Sequence, residues 1–393
     1  VSVSEGSLGS QTTGTIENGA DIDATFTIDQ TSDRDAGLIL RDGGGLGALN
    51  LIKTGASRLS FTATNTFPNF SGSATVRAGT LDLRSQARWT AVSAINIEGG
   101  TFQLHNSNGG NNQSDRLQTS TLVNFSGGTF SLSNTADSAS SYSETVGALN
   151  ALAGVNTVSV TTAATGRNSV LAFNPSNATA LTTNLVRQDG AIVNFITNGT
   201  NVLGNSIRAR VQLGDIAAPT GLNDGLIGGY AVVTDNNGLN WATISGDLDG
   251  ATAGVQHSVT GLTTYQSSTD ATTWSASDNV RLSAALTTLL SGAKTVNSVI
   301  LNDGIALDLN GQTLTVDTGG ILGIHTAAAA DKTISNGSLT AGSSNEIILR
   351  IDNSSVASTI ADLLLSANLV DNGNAVTLTK WGAGDLKLTG TGN

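Results

Sequence analysis

A pentapeptide of the form Gly-Thr-apolar-polar-Leu occurs three times in the first half of the chain, at residues 79–83, 100–104 and 128–132. The copies read Gly79-Thr-Leu-Asp-Leu83, Gly100-Thr-Phe-Gln-Leu104 and Gly128-Thr-Phe-Ser-Leu132, spaced 21 and 28 residues apart. Each is preceded by alternating apolar residues, as in Ile95-Asn-Ile97 and Val123-Asn-Phe125. Alternation with period two marks a strand with one buried face. A turn at glycine followed by a short strand, repeated after twenty-odd residues, describes a chain that returns to the same place one layer further on.

The second half carries a similar signal at Gly304-Ile-Ala-Leu-Asp-Leu309, Gly320-Ile-Leu-Gly-Ile324 and Gly337-Ser-Leu-Thr340, at spacings of 16 and 17. Asn-Gly pairs, at Asn310 and Asn336 among others, supply turn chemistry between alternating runs. These features predict an all-β chain. Its expected fold is a β-solenoid, most simply a right-handed parallel β-helix, with turns of roughly 16–28 residues stacked at about 4.8 Å. The three prolines, Pro68, Pro175 and Pro219, suit loops between such strands. The expected organisation is one elongated unit over 1–393. It comprises a first motif region (1–83), regular turns (84–199), an irregular section (200–290) and regular turns again (291–393). Residues 282–290 are read as a short helix or another strand.

A longer segment is duplicated near the two ends at a constant offset of 327. Leu51, Lys53, Gly55, Ala56 and Leu59 match Leu378, Lys380, Gly382, Ala383 and Leu386. A unit of about 330 residues thus begins to repeat within the chain, the mark of a modular array. The ends, Val1-Ser-Val3 and the motif before Asn393, read as strand edges that a neighbouring unit would cover.

Composition removes several functional classes. The net charge is −12, and the five lysines (Lys53, Lys294, Lys332, Lys380, Lys387) form no basic block, so nucleic acid and anionic membrane surfaces are not expected partners. The absence of cysteine excludes disulfides and thiolate metal sites. No apolar run is long enough for a membrane-spanning helix.

Candidate chemical residues are scattered. His105, His257 and His325 share no metal-binding spacing and are read as solvent-facing. Asp247 and Asp249 before Gly250 have only the start of a calcium loop. Asp303, Asp308 and Asp317 can serve as paired acid and base only if they converge in one groove. Trp89, Trp241, Trp274 and Trp381 would form a sugar-stacking surface if exposed, against a simpler reading as packing residues. No nucleophile motif is present, and no cofactor or metal is expected.

The duplicated segments resemble the autotransporter-associated β-strand repeat, whose motif runs approximately Leu-Thr-Lys-x-Gly-x-Gly-x-Leu-x-Leu-x-Gly-x-Asn-x-Tyr-x-Gly before a return strand ending Val-x-x-Gly-x-Leu. The first copy continues through Phe67 and Gly72 to Val76-Arg-Ala-Gly-Thr-Leu81 and departs at Ser57, Ala63 and Phe67. Between the copies, Gly229-Tyr-Ala-Val, Asn240-Trp-Ala-Thr and Asn310-Gly-Gln-Thr-Leu-Thr-Val316 resemble the spacers of long bacterial surface proteins. The resemblance implies an extracellular β-helical stalk without catalytic residues. The function expected is therefore a structural repeat of an extracellular fibre or cell-surface stalk. Its expected partner is itself, end to end or in tandem, with surface polysaccharide as a further candidate contact. The assembly residues would be Leu51, Lys53, Gly55 and Leu59 in one copy and Leu378, Lys380, Gly382 and Leu386 in the other. The alternative is an adhesive passenger, or a β-helical protein that binds or degrades polysaccharide.

Overall fold

The computed structural model describes residues 2–4, 13–62, 69–107, 112–135, 140–162, 168–173, 180–199, 201–204, 208–214, 222–245, 258–325, 331–352 and 362–391. The chain is nearly all β, with 55% strand and 2% helix, and most of its strand pairs are parallel. It divides into two compact units. One comprises Val1–Gly221 and Val232–Gly261, the other Leu222–Ala231 and Leu262–Asn393. Every change of unit falls inside the section 200–290 that the sequence marks as irregular.

In the first unit the chain visits parallel ladders in rotation. One ladder joins Ala24–Asp29, Leu49–Thr54, Ser73–Val76, Ala94–Ile97 and the first parts of Leu122–Asn134 and Leu149–Thr162. A second joins Arg58–Phe61, Thr80–Arg84, Thr101–Asn106 and the later parts of the same two long strands. A third joins Tyr142–Val146, Ser169–Phe173 and Ala209–Leu213. The three pentapeptides fall in register in the second ladder: Thr80 faces Thr101 and Thr101 faces Thr129. Their apolar positions form rows, Leu81, Phe102 and Phe130 beside Leu83, Leu104 and Leu132, all within the core. Parallel strands are short of local contacts, so such rows carry the packing.

Aromatic rings fill the core between ladders. Trp89 meets Phe61 at 5.2 Å, Phe70 at 5.1 Å and Phe102 at 6.1 Å between ring centroids, and Phe102 stacks on Phe130 at 5.6 Å. On the first ladder, side chains that alternate away from the core form an amide column. Asn124 Nδ2 donates to Asn96 Oδ1 (2.8 Å), Asn150 Nδ2 donates to Asn124 Oδ1 (2.7 Å), and Asn96 Nδ2 donates to Thr75 Oγ1 (3.3 Å). Asn124 is the central link. Asn124→Ala breaks two of these half-buried bonds and is expected to cost about 1–2 kcal/mol in urea unfolding; an unchanged midpoint would show that the column is ornamental to stability.

The later part of the first unit departs from parallel order. Val232–Asp235 pairs antiparallel with Gly238–Ser245, which pairs antiparallel with Ser258–Gly261. The turn is Asn236-Asn237, followed by Gly238 at φ +82°. Asp235 Oδ1 accepts the Asn237 N–H, a short polar turn of the kind that closes hairpins.

The second unit also rotates through three ladders. The strands Asn279–Leu282, Ser298–Leu301, Gly320–Gly323, Glu346–Ile351 and Thr377–Trp381 form one. Ala306–Asp308, Lys332–Ser335, Leu363–Leu365 and Leu386–Leu388 form the next. Lys294–Val296, Thr313–Val316, Ser338–Ala341 and Asn368–Leu369 form the third. Gly304, Gly320 and Gly337 therefore belong to three different ladders. Their spacing of 16 and 17 measures the distance between corners, not a full turn. A turn closes only when Val299 meets Ile321 and Ile321 meets Leu349. Residues 283–290 form no helix or strand, contrary to the sequence reading, and are tied in by a bridge between Asp270 and Thr288.

Candidate functional site

The duplicated motif takes the same backbone arrangement in both copies. In the first, Leu49–Thr54 ends at Gly55, and the chain resumes as Arg58–Phe61. In the second, Thr377–Trp381 ends at Gly382, and the chain resumes as Leu386–Leu388. Gly55 has φ +75° and Gly382 φ +85°. A Cβ at Gly55 would stand 2.2 Å from the carbonyl oxygen of Gln30, and one at Gly382 2.4 Å from that of Ile351. Both glycines are needed twice over, for left-handed backbone and for contact with the preceding turn.

The two lysines also correspond. Lys53 is paired in register with Ile28, and Lys380 with Leu349, so each occupies an inward row otherwise made of aliphatic residues. Lys53 is fully buried. Its Nζ donates to the carbonyls of Thr54 (2.7 Å), Gly55 (2.8 Å) and Ala78 (3.0 Å), which uses all three ammonium protons. Burial pushes this ammonium down to about 8, against the pull of Asp29 and Asp33. Lys380 repeats the central bond, donating to the Gly382 carbonyl at 2.8 Å, but its side chain is exposed.

The surroundings differ accordingly. Leu51 and Leu59 lie at 0% exposure, and the next turn covers them: Ser73–Val76 pairs with the strand of Leu51, and Thr80–Arg84 with that of Leu59. Leu378 and Leu386 are half-buried against the core of the second unit. Beside them opens a groove of about 340 Å³ lined by Ile347, Leu369, Val376, Leu378 and Leu388. Trp381, where the first copy has Thr54, lies under the Arg350 guanidinium at 4.9 Å.

The remaining candidates are placed as follows. Asp303, Asp308 and Asp317 do not converge; each serves its own corner. Asp308 Oδ1 accepts from the Asn310 N–H and from Asn336 Nδ2, while Asp317 Oδ1 accepts from the Ser343 N–H. Asp303 faces His325 at 2.8 Å. Trp89, Trp241 and Trp274 are core residues, at 0%, 1% and 3% exposure, and offer no stacking surface. Asp247, Asp249, Gly250 and His257, like Ala63, Phe67 and the three prolines, lie outside the described residues. Among the described residues no group of His, Asp and Glu is placed to hold a metal ion, and no helix is long and apolar enough to cross a membrane.

The two described histidines correct the solvent-facing reading. The His105 side chain is 14% exposed and the His325 side chain 9%. His105 Nε2 lies 3.1 Å from Thr135 Oγ1, and its Nδ1 lies 3.8 Å from Asp82, a fully buried carboxylate that also contacts Arg84 and accepts from Ser60 Oγ. In the sequence neither histidine has a charged neighbour. Laterally they have charged ones, contributed by turns above and below.

A buried glutamate and a buried arginine that sequence reading missed lie close together in the first unit. Glu144 accepts the backbone N–H groups of Arg116 and Leu117, both at 2.8 Å. The buried Arg116 guanidinium donates to the Ala87 carbonyl (3.0 Å) and to Asn106 Oδ1 (2.7 Å). Burial holds Arg116 down to about 10 and pushes Glu144 up to about 8. No sequence signal marks them, because their partners include backbone groups 28 and 29 residues away.

No family model, no curated protein and no solved structure matches this chain.

Proposed function

We propose that the chain is a structural repeat of an extracellular fibre or surface stalk, a β-solenoid whose turns stack end to end without catalysis. The observation that carries this reading is the equivalence of the two motif copies. Both place a glycine at positive φ against the preceding turn, and a lysine in an aliphatic row with its Nζ on that glycine's carbonyl. In the first copy a further turn lies on the motif and supplies the Ala78 carbonyl to Lys53. Another turn of the same repeat would cover Leu378 and Leu386 in the same way and give Lys380 further acceptors. The rotation of each unit through three parallel ladders supports a solenoid. The resemblance of both motif copies to the autotransporter-associated repeat supports the location outside the cell.

The polysaccharide-degrading alternative loses its two sequence supports, because the three aspartates serve separate corners and three of the four tryptophans are core. Assembly is the test. Sedimentation and negative-stain electron microscopy of the purified chain should show concentration-dependent end-to-end oligomers. The double substitution Leu378→Asp with Leu386→Asp should lower association at least tenfold while leaving the first unit's unfolding unchanged. A wild-type chain that stays monomeric at every concentration sinks the self-assembly reading.

A further inference from the structure

Two lysines of this chain are completely buried, and they differ in how the ammonium is satisfied. Lys53 spends its protons on three carbonyls. Lys332, the first residue of Lys332–Ser335, is also at 0% exposure, yet its Nζ has no hydrogen-bond partner among the described residues. Its stem passes over Gly323, where a Cβ would come within 3.2 Å of Lys332 Cδ. That bare backbone opens the path along which the amine reaches the neighbouring turn.

At the end of the path stands a carboxyl. Lys332 Nζ is 4.0 Å from Asp303 Oδ1, and the same oxygen is 2.8 Å from His325 Nδ1. His325 Nε2 in turn faces Asp362 Oδ1 at 3.4 Å. The side chains of Asp303, His325 and Asp362 are 11%, 9% and 3% exposed, so water has little access to the group. An ammonium without hydrogen bonds in such a place is costly, and the neutral amine is favoured. Desolvation accordingly lowers the Lys332 pKa, although Asp303, Asp362, Asp352 and Asp331 oppose it. A buried lysine amine with no hydrogen bond, 4.0 Å from a buried carboxyl, sets a nucleophile against an electrophile once its proton is lost.

We infer that Lys332 and Asp303 form an intramolecular isopeptide bond between Nζ and Cγ, with His325 moving the proton and Asp362 steadying it. The neutral amine attacks Cγ of the protonated Asp303 carboxyl. The C–N bond forms, the C–O bond breaks, and the hydroxyl departs as water. The proton lost by nitrogen reaches that hydroxyl through His325, whose transient positive charge faces Asp362. One amine hydrogen and one hydroxyl leave, and no oxidant or co-reactant is needed. The link joins adjacent turns, since Ala306, three residues past Asp303, pairs in register with Thr333, next to Lys332. It would staple a chain that has no cysteine with which to do so.

Mass spectrometry of the intact purified chain tests this. The expected mass is one water below that of the sequence, in most molecules. After denaturation and trypsin, cleavage should fail at Lys332, leaving 295–350 as one peptide with no fragment ions between Asp303 and Lys332. Lys332→Met and Asp303→Ala should each restore the full mass expected for the variant, and His325→Gln should leave a large unlinked fraction that converts slowly. A wild-type chain at full mass that trypsin cuts after Lys332 overturns the inference. So does a water loss with Lys332 still cleavable, which would signal a succinimide at Asp303-Gly304, and so does a link mapped to Asp362.

Discussion

Stability of the first unit is expected to fall as pH rises from about 4.5 to about 8, and Glu144→Gln is expected to flatten most of that slope. Glu144 is 1% exposed, and burial moves its carboxyl from 4.5 up to about 8, against the Arg116 and Leu117 N–H groups and the Arg116 charge. The folded state therefore keeps this proton to higher pH than the unfolded chain. Between the two values it binds more protons, so its stability declines as they are removed, and the contribution is complete only below 4.5. Each tenfold difference in proton affinity between folded and unfolded chain is worth about 1.4 kcal/mol, which makes the loss across this window on the order of 4–5 kcal/mol. Lys53 acts in the opposite sense above it. Its ammonium is depressed from 10.5 to about 8, so the unfolded chain holds the proton longer and stability recovers between those values. A minimum near pH 8 follows. Urea midpoints across pH 4–10 for wild type and Glu144→Gln measure both limbs. Glu144→Ala should be worse at every pH, by about 2–4 kcal/mol, because it strands the two buried N–H groups of Arg116 and Leu117. Equal slopes in wild type and Glu144→Gln would assign the pH dependence to other groups.

What the sequence disclosed was whatever recurs at a fixed place in each turn. Thr80, Thr101 and Thr129 are aligned by their glycine-headed pentapeptides, and the ladder registers reproduce that alignment. The second unit resisted the same approach because glycine marks more than one of its corners. Gly304, Gly320 and Gly337 then give a false period, shorter than any full turn. The antiparallel strands around Asn236-Asn237 fall in the section read only as irregular, and alternation alone could not show their break in direction, because it has no sense of orientation.

The chemistry was less legible than the fold, for a geometrical reason. In a parallel ladder the lateral neighbours of a side chain come from the turns above and below, so proximity in sequence says little about contact. Asp82 touches Ser60 across 22 residues, and Glu144 reaches the Arg116 N–H across 28. His325 has alanines and a threonine after it in sequence, yet sits between two carboxylates. The motif lysines illustrate the same limit. The sequence marks Lys53 as a motif residue without saying which way it faces; its register with Ile28 places it in the core, and only the Ala78 carbonyl on the following turn completes its shell.

Gly55→Val is expected to destabilise the first unit by about 3–5 kcal/mol, while Ala56→Val at the adjoining exposed position changes stability by no more than about 0.5 kcal/mol. A β-branched residue at φ +75° is strained in any setting. Here its Cβ would also be forced to 2.2 Å from the Gln30 oxygen and 2.6 Å from the Gln30 nitrogen. Backbone, unlike a side-chain tip, cannot turn aside, so the turn carrying Gly55 must lift from the one before it. Lifting displaces the Gly55 carbonyl from the buried Lys53 ammonium and leaves a charge in the core without one of its three acceptors. Gly382→Val meets the same obstruction, 2.4 Å from the Ile351 oxygen at φ +85°, but the lysine above it is exposed to water. Its cost should therefore be smaller by the ionic part, about 1–2 kcal/mol. Hydrogen exchange at 49–61 and at 377–388 separates the two. Equal losses in both segments would mean that Lys53 adds nothing beyond the strain of the turn. A silent Gly55→Val would mean that the two copies share a sequence without sharing the physical reason for it.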